Sequence, residues 1–105
     1  MTKRTHDAKR IIAEMTIFPV GEGTSLSRYV KKAIESINSI KGLRIQVTPM
    51  GTIVEAEKID TILDAFRVAH KALSDMNAQR IIATLKIDDR RDKSRRMEDK
   101  VNAVQ

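Results

Sequence analysis

The segment Ile12-Ala-Glu-Met-Thr-Ile-Phe-Pro-Val-Gly-Glu-Gly-Thr-Ser25 reads as a strand that passes through a glycine-bracketed loop into a helix. Side chains alternate over residues 11–18, as in a strand with two distinct faces. Ile11, Ala13, Met15 and Ile17 point one way; Ile12, Glu14, Thr16 and Phe18 point the other. Pro19 ends the run, and Gly21 and Gly23 supply the turn. Glu14 stands inside an apolar strand, where a carboxylate is costly to bury unless something pairs with it.

The same alternation and its helical counterpart recur along the chain. Thr24 or Ser25 is positioned to cap a helix. Leu26, Val30, Ala33, Ile34, Ile37 and Ile40 follow at helical spacing, and Gly42 stops the run. Residues 43–50 and 52–57 read as two strands joined through Pro49-Met50-Gly51 in a hairpin. A second helix over residues 59–76, with Asp60 as its cap, lays Ile59, Ile62, Leu63, Phe66, Ala69, Leu73 and Met76 along one side. A fourth strand spans residues 80–88. Met97, Val101 and Val104 mark a short C-terminal helix with a thin apolar stripe.

The order β-α-β-β-α-β predicts an α+β fold of the ferredoxin-like type. Right-handed crossovers make its antiparallel sheet order 4-1-3-2, with both long helices on one face. That leaves Ile12, Glu14, Thr16, Phe18, Arg44, Gln46, Thr48, Ile53, Glu55, Ile82, Thr84, Lys86 and Asp88 on the other. Ile12, Phe18, Ile53 and Ile82 would form an exposed apolar patch there, which monomers avoid. The expected solution is a sheet-to-sheet homodimer, with a tetramer as a dimer of dimers. Burying Glu14 and Glu55 in such a face demands partners, either Arg44 and Lys86 across the sheet or a cationic or amine-bearing ligand.

Composition narrows the function classes. A chain of 105 residues supports one domain, placed at residues 11–105 behind a flexible basic lead at 1–10. There is no cysteine, so disulfides and thiolate chemistry are excluded. No apolar run approaches the ~20 residues of a membrane span, and no signal-peptide core follows the N-terminus. The expected location is therefore cytoplasmic, with no membrane partner. The net charge of +6 raises a nucleic-acid partner. However, the excess lies at the ends, in Lys3, Arg4, Lys9 and Arg10 and in Arg90, Arg91, Lys93, Arg95, Arg96 and Lys100, where it reads as solvated tails.

The remaining motifs are weaker. Gly23, Thr24 and Ser25, at a helix start, are candidate anion ligands through their backbone N–H groups. No Walker lysine follows them, and turn chemistry explains the glycines. His70 reads as a packed helical histidine. His6 is not at metal-ligand spacing from it, so no metal is expected. The run 88–92 alternates in sign, which favours local or intersubunit salt bridges. No nucleophile–base–orienter set is legible, so no catalysis and no cofactor are expected.

Five segments add up to a family resemblance: residues 12–21, Thr-Ser-Leu-Ser-Arg-Tyr-Val at 24–30, Val-Thr-Pro-Met-Gly-Thr-Ile-Val-Glu at 47–55, Ala-His at 69–70 and Thr-Leu-Lys-Ile-Asp-Asp-Arg-Arg at 84–91. In this order they resemble the small thiamine-binding protein family, single-domain relatives of YkoF, over roughly residues 11–104. The resemblance implies a ferredoxin-like subunit whose sheets pair face to face, commonly in tetramers. It also implies non-catalytic binding of thiamine or its hydroxymethylpyrimidine moiety, as carrier or sensor. Glu14, Thr48, Thr52, Glu55 and Thr84 match positions in those motifs and are the expected ligand-binding residues. A carboxylate accepts from an exocyclic amine and favours a thiazolium cation.

Other functions fit this fold. An RNA-recognition module would stack bases on aromatic residues of its central strands, yet the third strand, Thr-Ile-Val-Glu-Ala-Glu, has none. An acylphosphatase-like enzyme would need an arginine in the loop at 19–25, which lacks one. A structural oligomer without a ligand is the remaining alternative.

Overall fold

The computed structural model describes residues 10–92 and 96–104. Residues 1–9 of the basic lead, with Lys93 and Arg95, lie outside the described residues. The elements run β1 (Ile11–Pro19), α1 (Ser27–Ile37), β2 (Arg44–Thr48), β3 (Gly51–Ala56), α2 (Ile59–Asp75), β4 (Ile81–Asp88) and α3 (Met97–Ala103). The strands form one antiparallel sheet in the order β2-β3-β1-β4, as alternation and crossover handedness predicted.

α1 and α2 pack on each other and on one face of the sheet. Ile11, Ala13, Met15, Val54 and Ala56 meet Tyr29, Ala33, Ile37, Ile62, Ala65, Ala69 and Leu73 in a single core. Two helix details differ from the periodicity reading. The buried stripe of α2 runs through Ala65, Ala69 and Ala72, while Ile59 and Leu63 are exposed. Small side chains let a helix approach its neighbours closely, and that contact sets the rotation. His70 consequently faces solvent and is not packed.

The second difference concerns caps. α1 starts on Leu26 and α2 on Lys58, neither with a side-chain cap hydrogen bond, so Thr24, Ser25 and Asp60 do not cap. The later start of α1 inserts Tyr29 into the core. Its hydroxyl donates to Glu22 Oε1 at 2.8 Å and accepts from Arg28 Nη2 at 2.9 Å. Donation to that carboxylate pushes the phenol's pKa above its ordinary value.

On the sheet's other face the registers place residues in rows. The first row reads Arg44, Glu55, Ile12, Asp88; the second Gln46, Ile53, Glu14, Lys86. The third reads Thr48, Gly51, Thr16, Thr84, where Thr16 continues the β1–β3 register by one residue. A fourth, short row pairs Phe18 with Ile82.

α3 covers the first row, a placement that the sequence pattern did not reveal. Glu55 is fully buried beneath it. The Glu55 carboxylate accepts from Arg10 Nε at 2.6 Å, from Arg44 Nη1 at 3.1 and 3.2 Å, and from the backbone N–H of Met97 at 3.0 Å. The last bond sets a carboxylate against the N-terminus of α3, where charge and helix dipole attract. Arg44 also reaches Glu98, with Nη2 to Oε2 at 2.6 Å. Lys100 pairs with Asp88, and Ile12 and Met97 are buried. The apolar patch expected over the whole open face is therefore reduced: Ile12 is covered, whereas Phe18 and Ile82 stay exposed.

Gly51 fits the second and third rows together. A Cβ there would lie 3.0 Å from the Thr16 methyl, 3.3 Å from the Met15 carbonyl oxygen and 3.5 Å from Glu14 Cγ. Gly51→Ala is expected to cost about 1–3 kcal/mol through overpacking, read as a lower urea midpoint. Glu55→Ala removes the buried acceptor that two guanidinium groups and a helix start share. We expect a loss of about 3 kcal/mol or more in urea unfolding, against less than about 1 kcal/mol for Lys86→Ala at an exposed pair.

Hydrogen bonds from Arg44 hold the Glu98 carboxyl down at about 2 from an ordinary 4.5. A depressed folded-state pKa means this attachment is complete above pH 4.5 and is lost as pH falls towards 2. Amide hydrogen exchange in α3 should therefore accelerate relative to α2 across that window.

Candidate functional site

Rows two and three of the open face, beside α3, form the candidate site. A cleft of about 590 Å³ opens between them and the helix. Ile12, Ile53, Met97 and Val101 provide apolar wall; Glu14, Gln46, Thr48, Lys86 and Asn102 provide polar groups. That combination suits a small molecule with an apolar body and a few hydrogen-bonding positions.

Glu14 sits at the centre of the second row between Ile53 and Lys86. Its side chain is 37% exposed, and its one cation among the described residues, Lys86 Nζ, is 4.0 Å from Oε1. Lys86 itself is 80% exposed, so the pair is loose and screened by solvent. Glu14 thus keeps acceptor capacity, unlike Glu55, whose oxygens are filled from three directions.

The expected ligand residues separate by location. Glu14 and Thr48 line the cleft, and Thr84 stands beside it in the third row, exposed. The Thr48 hydroxyl is occupied in the hairpin. It accepts from the N–H groups of Met50 at 3.2 Å and Gly51 at 3.0 Å, and donates to the Gly51 carbonyl at 2.9 Å. The hydroxyls of Thr16 and Thr84 have no hydrogen-bond partner among the described residues. Glu55 lies in the first row under α3, away from the cleft lining. Thr52 is on the helix-covered face, opposite Met15 and Val47. There it borders a separate, mostly apolar cavity of about 340 Å³ between α1 and the hairpin.

Gly23, Thr24 and Ser25 are exposed in the loop before α1. Gly21 and Gly23 hold φ of +88° and +90°, which glycine adopts without strain. Glu22, fixed on Tyr29, sets a carboxylate in that loop. Among the described residues no group of three histidine or acidic side chains is placed to hold a metal ion.

Three participants were not legible as site components. Arg10, read as part of the lead, is an anchor of Glu55. Met97 and Val101 form a cleft wall; their helical spacing was visible, but not the surface they cover.

The thiamine-binding protein family model matches residues 13–105. A UPF0045 protein of Methanothermobacter thermautotrophicus is 43% identical over 95 residues, covering 90% of this chain and 95% of the relative. The crystal structure of a hypothetical protein from Methanocaldococcus jannaschii matches with a TM-score of 0.81 at 41% identity, over 91% of this chain and 96% of that one. A Thermotoga maritima structure, described as a proposed thiamine biosynthesis or salvage protein, matches with a TM-score of 0.74 at 27% identity, over 91% and 99% of the two chains. With the model match running from the first strand through α3, the chain belongs to the thiamine-binding protein family.

Proposed function

We propose that the protein binds thiamine or its hydroxymethylpyrimidine moiety, without catalysis, as a carrier or sensor. The family match and the thiamine-related description of the Thermotoga structure support the ligand class. The observation that carries the site is the contrast between two carboxylates one row apart. Glu55 is saturated by the fold, whereas Glu14 faces a cleft and, among the described residues, has only a loose cation 4.0 Å away. A carboxylate in that state accepts from the exocyclic amine of an aminopyrimidine and attracts a thiazolium. Ile53 and Met97 offer apolar contact for ring faces, and Thr84 offers a hydroxyl at the cleft's edge. In this reading Thr48 shapes the hairpin, and Glu55 acts by holding the α3 wall in place.

Phe18 and Ile82, adjacent and exposed in the fourth row, support a second part of the reading. Two copies pair through this end of the open face, which puts the ligand cleft beside a subunit contact. Burial of these side chains would favour pairing.

Calorimetric titration of thiamine and of hydroxymethylpyrimidine tests the ligand, with sedimentation on the same samples. Saturable heat is expected, weakened about tenfold or more in Glu14→Gln, as loss of a charged hydrogen-bond partner predicts. Ile82→Lys is expected to shift sedimentation towards the monomer. No heat from either compound, with self-association intact, would overturn the binding reading in favour of a purely structural oligomer.

A further inference from the structure

A second polar hollow, of about 430 Å³, lies at the base of the sheet, where β1 and β2 begin and β3 ends. The register makes this convergence: Ile11 opposes Ala56, and Arg44 opposes Glu55. The flanking residues therefore meet, and each chain segment brings a cation. Arg10, Lys41, Arg44 and Lys58 line the hollow, with Glu57 as its one carboxylate and Thr61 at its rim.

Two of the cations are already balanced. Arg10 and Arg44 both pair with Glu55, and Arg44 pairs with Glu98 as well. Glu57 is 3.5 Å from Arg10 Nη1. Lys41 and Lys58 have no ion-pair partner among the described residues. With the two arginines paired, Lys41 and Lys58 carry the uncompensated charge at the hollow, and a bound anion would balance it. Lysine serves phosphate as a movable point charge. The Thr61 hydroxyl, without a partner among the described residues, adds a donor. The hollow also opens beside the first turn of the 17-residue α2, where the helix dipole favours negative charge and Asp60 already stands, outside the hollow's lining.

We propose that this hollow is an anion site for the phosphate group of a small phosphorylated molecule. Its volume exceeds that of a bare phosphate, leaving room for an organic remainder. The site is separate from the Glu14 cleft and does not rest on the thiamine reading; Glu14→Gln should leave it unchanged.

Amide chemical shifts of the isotope-labelled full chain report on it. The probes are inorganic phosphate, pyrophosphate and glycerol phosphate, added at ionic strength held constant with sodium chloride, and a single-stranded RNA oligonucleotide in a parallel arm. The expected result is saturable shifts at residues 41–44 and 57–61 with the phosphate compounds. The Lys41→Ala/Lys58→Ala double variant should bind about tenfold or more weakly. Both lysines are exposed, so its thermal midpoint should match the parent's. Shifts that follow ionic strength whatever the anion would overturn the proposal. So would equal affinity for the phosphate compounds in parent and double variant, or saturation by RNA alone.

Discussion

A buried carboxylate needs partners from several directions, and that requirement at Glu55 organises one whole face of this protein. Glu55 is fully enclosed in the central strand β3. An unpaired charge there would be prohibitively costly. Arg10, Arg44 and the first amide of α3 meet the requirement together. One acid thereby ties the beginning of β1, the edge strand β2 and the C-terminal helix to one point. α3 is only seven residues long, too short to persist through helix propensity alone. Its order depends on this docking, on Met97 burial and on the Arg44–Glu98 pair.

Where α3 ends, the character of the sheet changes. The row covered by the helix is locked by ion pairs. The rows beyond it present Glu14, three threonines and a glycine, bounded by Phe18 and Ile82. Glu14 and Glu55 are the same residue type on adjacent strands facing the same side. Their difference comes from the helix that covers one and only walls the other. The open part of the sheet is thus defined by what the third helix leaves uncovered. The chain belongs to the thiamine-binding protein family, and on the uncovered face Glu14 is the carboxylate that the fold leaves half exposed.

Arg44 has a related double position. It contacts Glu55 below and Glu98 on α3, which raises its own pKa through those two acceptors. It also lines the basal hollow. The wall of the open-face cleft and the charge balance of the hollow therefore share one guanidinium. Small domains have few elements, so neighbouring surfaces are built from the same side chains.

Strand phase was readable because alternation has a period of two and a one-residue error would reverse the faces. Ile11, Ala13 and Met15 inward with Glu14 outward follow directly from that period, while the sheet topology follows from the element order and right-handed crossovers. The same phase puts Thr52 with Val54 and Ala56 on the covered face, apart from Glu14, although its motif position suggested the ligand site. Helix caps and rotation were less legible, because Leu26, Tyr29 and the alanines of α2 answer to core contacts and not to local propensity. The sequence by itself determined the alternating faces, the element order and the family. Only the tertiary structure decided that α3 folds over Glu55 and leaves Glu14 open. That outcome rests on contacts between residues 10, 44, 55 and 97, which no local pattern links and which come together only once the sheet has formed.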